Sequence, residues 1–235
     1  MTDKLSDLRQ TINQLDDDIL ALVRRRMQLA ADIIAAKSDA VAYRPGREAE
    51  VVKRLIAAAP ELPAPLIGNL WRQLMTASTA LQNGATRIAV HPGAMAVAGW
   101  HFGALFPIET CSDMASLRDL MKGSGGAEFA LVPQECEAEL AAWLLDDETV
   151  QVIAMTPLLL SDAMPPVWML GRHPADQVRD ETSIIACDGA SGPHIITHPG
   201  RVAAPLADLS GRHRVIGVIA SGALPARRQA TRSEP

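Results

Sequence analysis

Apolar residues return along the first part of the chain in steps of four and three. The series runs Leu8, Ile12, Leu15, Ile19, Leu22, then Leu29, Ile33 and Ala36, and Arg26 fills the one remaining place in it. That spacing predicts a single helix over residues 5–37, with Ser6 as its N-cap and no Gly or Pro inside. At 1.5 Å per residue such a helix is about 50 Å long. Residues 1–85 cannot cover a seam of that length alone, so the pattern calls for a partner chain.

"YRPGRE" (43–48) breaks the pattern and restarts it. Pro45 suits a first helical turn, and Val51, Val52, Leu55 and Ile56 line one side of a short second helix. "APELPAP" (59–65) is a proline-rich turn. A third helix follows, with Leu66, Ile67, Leu70, Trp71, Leu74, Met75, Ser78, Leu81 and Gln82 on or beside one stripe. "QNGATR" (82–87) marks a boundary.

Beyond it the texture changes. Short apolar runs ("RIAV", "AEFALVP", "TVQVIAM", "VWMLG") alternate with helix-like stretches ("MASLRDLMKG", "EAELAAWLL"), an α/β pattern. From about residue 188 Gly, Pro and His accumulate, and the chain ends in "PARRQATRSEP". The expected organisation is an all-helical domain over 1–85, a small α/β lobe over 86–187, and an irregular segment over 188–235 with a disordered tail.

Composition narrows the class. Aromatic residues make up only 3% of the chain and apolar residues 48%, so Ala, Leu and Val must fill the core. The net charge of −5 argues against a nucleic-acid-binding domain. Three distant cysteines (Cys111, Cys136, Cys187) fit a reduced cytoplasmic protein and neither a disulfide framework nor a zinc site. The charged "MTDKLSDLRQ" lacks a signal-peptide core. The longest apolar run, "VQVIAMTPLLL" (150–160), is too short to span a bilayer. "HIITH" (194–198) has metal-like spacing but lies between Gly/Pro turns with no third ligand nearby. "GSGG" (123–126) lacks the Lys-Ser/Thr of a phosphate loop. No metal or cofactor is expected.

The chemistry lies in polar residues on apolar faces. Arg26 sits mid-helix in the seam, and Lys37, eleven residues on, projects to nearly the same face. Ser78 and Gln82 lie one turn apart on the third helix's stripe. Arg47 and Glu48 open the second helix. Each alone has an ordinary structural reading, such as a snorkelling arginine or a helix-entry ion pair. Together they bring polar groups from three helices into one apolar interior, the usual mark of a small-molecule site.

"LRQTINQLDDDILALVRRRMQLAADIIAAK", "RPGREAEVVKRL" and "LWRQLMTASTALQ" resemble the all-α (AroQ-type) chorismate mutase domain, over residues 5–84. The resemblance implies an intertwined homodimer whose sites are built mainly from one chain, with Arg9 reaching in from the other. It implies that Arg9 and Arg26 bind the two carboxylates of chorismate. Lys37 and Gln82 would contact the ether oxygen of the breaking bond. Glu48 would hold the ring hydroxyl, Arg47 would support the site, and Ser78 would lie beside a carboxylate. Arg44 stands where some relatives carry an acid.

"RIAVHPGAMAVAGWHFG", "CSDMASLRDLMKGSGGAEFALVPQE" and "VWMLGRHPADQVRDETSIIA" resemble, in order, stretches of the prephenate dehydratase domain over about 86–187, with a large gap. The family's catalytic Thr-Arg-Phe is replaced by something near "PPVWM" (165–169), and its Glu-Asn-Ser reads Glu135-Cys136-Glu137. No regulatory ACT domain is recognisable. The expectation is a chorismate mutase without dehydratase activity. The rivals are an isochorismate–pyruvate lyase, or a regulatory or binding module acting on an aromatic-pathway partner enzyme.

Overall fold

The computed structural model describes residues 2–36, 43–82, 86–123, 125–160, 164–202, 209, 211–222 and 224–225. Three helices come first: α1 (Thr2–Ala35), α2 (Pro45–Ala58) and α3 (Ala64–Gln82). Pro45 opens α2, where its missing N–H costs nothing. α3 packs against both of the other helices. The last third of α1 meets it through Arg26 and Met27, which bond to Leu74 and Ser78, with Val23 and Ala30 part-buried beside them. The remaining seam is bare. Leu8, Ile12, Leu15, Ile19, Leu22, Leu29 and Ile33 are each between 54% and 65% exposed.

The rest of the chain builds one sheet. Its strands are β1 (Ile88–Val90), β2 (Ile108–Thr110), β3 (Phe129–Pro133), β4 (Gln151–Thr156), β6 (Val167–Gly171), β7 (Glu181–Gly189), β8 (Gly192–Pro199) and β9 (Arg212–Ala220), in the order β2-β1-β3-β6-β4-β9-β7-β8. β1 pairs in parallel with β2 and β3, β4 pairs in parallel with β9, and the other neighbours are antiparallel. A separate short pair joins β5 (Leu159–Leu160) to β10 (Leu224–Pro225).

Alternation along the strands sorts side chains onto two faces. Ala130, Val132, Trp168 and Leu170 face α5 (Met114–Leu120) and α6 (Glu137–Asp146). Phe129, Leu131, Val167 and Met169 face the other way, toward α4 (Met95–Phe102) and Tyr43. At the β4–β9 crossing the strands approach so closely that a Cβ on Gly217 would lie 2.0 Å from the Val152 carbonyl oxygen. Glycine is required there because no side chain fits.

The expectation of an irregular segment over 188–235 is corrected for its described part. β8 and β9 lie there and extend the sheet from the same lobe. The misleading signal was the Gly, Pro and His content, because those glycines sit in turns: Gly192, Gly200 and Gly211 have positive φ. Residues 226–235, expected to be a disordered tail, lie outside the described residues. Among the described residues no helix is long and apolar enough to cross a membrane.

Candidate active site

Arg26 turns its guanidinium from α1 onto α3. Its Nη1 donates to the Leu74 carbonyl oxygen at 2.9 Å and to Ser78 Oγ at 2.7 Å. Ser78 Oγ in turn donates to the Leu74 carbonyl at 2.8 Å. Burial lowers the Arg26 pKa from its ordinary value and the Glu48 carboxylate opposes that shift, so the two groups share one electrostatic neighbourhood. Two of the expected site residues are therefore in direct contact, and a third is close by.

Glu48 is held from the opposite direction. Its Oε2 accepts a hydrogen bond from Arg72 Nη2 on α3. Arg72 is only 8% exposed, and burial works against its charge. That cost is the largest single influence, but Glu48 and Tyr43 together outweigh it and hold the guanidinium pKa above its usual value. Arg72 Nη1 lies 3.0 Å from Nε2 of His101, a fully buried residue on α4. His101 Nδ1 lies 2.7 Å from Thr156 Oγ1 at the end of β4, and the Tyr43 hydroxyl stands 3.1 Å from His101 Nε2. A cavity opens between the helices and the sheet, lined by Glu48, Arg72, Met75, His101 and Thr156 among others.

The second helix is fastened along its length to the α/β half. Asp176 Oδ2 accepts from the Arg47 backbone N–H at 3.1 Å and pairs with Arg44 at 3.4 Å, so a distant carboxylate caps the N-terminus. Glu50 accepts from the Arg179 backbone N–H at 3.0 Å, and Lys53 donates to the Ser221 carbonyl. A Cβ on Gly46 would lie 2.7 Å from Val178, so glycine lets the first turn come this close.

The other expected residues are placed as follows. The Arg47 side chain is exposed on α2, and Arg9 is exposed on α1. Arg9 and Arg26 are 17 residues apart on one continuous helix, roughly 25 Å along its axis. One chain cannot bring both to the same small ligand. Gln82 ends α3, and Lys37 lies outside the described residues. Arg72, His101 and Thr156 were missed by sequence reasoning. Arg72 lies three residues before Met75 and four before Thr76, on the buried side of α3, where a lone cation is a visible signal; His101 and Thr156 carry no local signal.

Residues 8–83 match the family model for chorismate mutase type II. The match covers the helical part alone, and at the level of that family it supports a chorismate mutase enzyme. No curated protein and no solved structure matches the chain. The dehydratase-like reading of the second half therefore finds no counterpart in these comparisons. Two minor candidates resolve geometrically. "HIITH" is strand β8, with His194 Nδ1 at 3.0 Å from the Gly192 carbonyl, and no metal-like group of three His, Cys, Asp or Glu occurs among the described residues. The three cysteines are buried and free, and burial raises each thiol pKa.

Proposed function

We propose that the helical part, as a homodimer in the cytoplasm, converts chorismate to prephenate by Claisen rearrangement, and that the chain has no dehydratase activity. The observation that carries this reading is Arg26: a guanidinium in an apolar seam, bonded to Ser78 on the facing helix, beside the Glu48 carboxylate. The rearrangement needs no nucleophile. It needs a flexible dianion held in a near-attack geometry. Arginine forks suit that task because they stay charged when buried and grip carboxylates in two places.

In this reading Arg26 takes one carboxylate, with Ser78 beside it, and Arg9 of the second chain takes the other. Lys37 and Gln82 aim donors at the ether oxygen, where charge develops as the C–O bond breaks. They therefore favour the transition state over the ground state. Glu48 accepts the ring hydroxyl proton in a hydrogen bond, and Arg47 supports it. The bare seam of α1 and the separation of Arg9 from Arg26 support two chains per site. Loss of dehydration is supported by Val167, Trp168 and Met169, which lie buried and apolar inside β6 where the family's catalytic signature would fall.

The test is a steady-state assay of the purified chain with chorismate and, separately, with isochorismate, resolving prephenate, phenylpyruvate and pyruvate. Prephenate alone is the expected product. Phenylpyruvate at neutral pH would restore the dehydratase. Pyruvate from isochorismate would make the protein a lyase. No turnover with either substrate would move the site to a binding or regulatory role.

A further inference from the structure

The Glu48 carboxylate is tied to the α/β half by three consecutive side chains, and the chemistry of those links fixes their direction. Arginine has donors only, so Arg72 Nη1 must donate to His101 Nε2, and that nitrogen must carry the lone pair. The ring proton is then on Nδ1, where it donates to Thr156 Oγ1 at 2.7 Å. The Tyr43 hydroxyl, 3.1 Å from Nε2, has only the donor role left toward it. The His101 backbone is pinned as well, because Thr76 Oγ1 donates to its carbonyl at 2.9 Å. Thr156, His101 and Thr76 are all at most 4% exposed, so water does not compete for these links.

We propose that Arg72, His101 and Thr156 are positioning residues for Glu48: the α/β half sets the aim of the carboxylate that receives the substrate's ring hydroxyl. This rests on the mutase reading of the site. Docking alone does not account for the chain of bonds. α2 is already fastened by Asp176, Glu50 and Lys53, none of which touches Glu48. A buried ion pair is also a poor way to gain stability, since an apolar pair of similar volume usually serves as well. What the Arg72–His101–Thr156 series adds is orientation. It takes one oxygen of Glu48 through a rigid fork and anchors that fork in a sheet strand, as a precise site requires.

The experiment compares Thr156→Val and His101→Gln with wild type, each with and without Glu48→Gln. The substrates are chorismate and chorismate methylated on its ring hydroxyl. Methylation removes the donor that Glu48 accepts, so the ratio of kcat/KM for the two substrates reads the aim of the carboxylate. Thr156→Val is nearly isosteric and suits a strand, so its fold should hold even where His101→Gln is destabilised. The preference for chorismate should fall by ~10-fold in Thr156→Val, the scale expected of small misplacements. That effect should vanish in the Glu48→Gln background. An unchanged preference overturns the proposal, as does an equal loss on both substrates that persists without Glu48. If wild type does not turn chorismate over, the mutase reading fails first and takes this proposal with it. Turnover with unchanged preference sinks only the proposal.

Discussion

α1 and α2 belong to the same matched segment, yet they are held in opposite ways. α2 is fastened by four residues of the α/β half, while α1 touches α3 over its last third and leaves seven apolar seam residues more than half exposed. The helical part is therefore open on one side and closed on the other. The closed side carries Glu48 and is tuned within the chain. The open side carries Arg9, and among the described residues nothing covers its seam; in the proposed dimer a second chain does. A helical domain alone would have neither the Asp176 cap nor the His101 anchor, so its second helix and its acid would be less well placed.

The largest effect expected on this comparison comes from the residue between the two sides. Arg26→Leu should cut turnover by roughly 10²–10³, the scale for losing one preorganised donor. It should leave folding intact or raise dimer stability, because leucine suits the seam. A variant that unfolds, or that keeps full kcat, would make Arg26 structural. Circular dichroism beside the chorismate assay decides.

The open side can be tested by mixing. Arg9→Ala and Arg26→Leu should each be nearly inactive. If each site takes Arg26 from one chain and Arg9 from the other, mixed dimers regain one intact site of two. Equal amounts refolded together should then recover about a quarter of wild-type activity. No recovery would place both arginines in one chain's site. Ile19→Glu should dissociate the dimer in sedimentation velocity, whereas the same change on a polar face of α1 should not.

Much of this arrangement is legible in the sequence, for a physical reason. Three helices with a polar residue on each apolar stripe announce themselves through spacing, because helical periodicity is local. Arg26 meeting Ser78 follows from two such stripes facing each other. Asp176, His101 and Thr156 could not be found this way. Each lies far along the chain from α2 or α3, and nothing local distinguishes a histidine that accepts from an arginine from one that simply fills a core. β8 and β9 were hidden for a related reason: their turns are rich in glycine and proline, and their strands declare themselves only by pairing with distant strands, β7 for both and β4 for β9.

The closed side has a pH signature. Burial, followed by the nearby Arg72 charge, holds the His101 pKa well below 6.5, so the ring is neutral in the fold. Unfolded, it takes up a proton below about 6.5. The unfolded state then binds more protons, and stability must fall as pH drops through that window, down to the depressed folded value. The slope cannot exceed about 1.4 kcal/mol per pH unit from one such group. Thermal unfolding from pH 7.5 to 5 should show this decline in wild type and a weaker one in His101→Gln. Equal slopes would mean the ring is not held neutral.

The smallest effect expected is at the α2 cap. Asp176→Ala removes the acceptor for the Arg47 N–H and the partner of Arg44. Loss of a capping side chain typically costs ~1 kcal/mol. Asp176 Oδ1 is buried with no partner among the described residues, so truncation also relieves a desolvation penalty and keeps the net loss near that figure. For a chain this size that is a shift of about 2–4 °C in Tm. Asp176→Asn keeps an acceptor for the N–H and should lose less. If the alanine variant unfolds at the wild-type temperature while the chorismate preference also stays fixed, the α/β half neither caps α2 nor steers Glu48 through it. The contrast between a fastened α2 and a loose α1 would then be one of contact and not of energy.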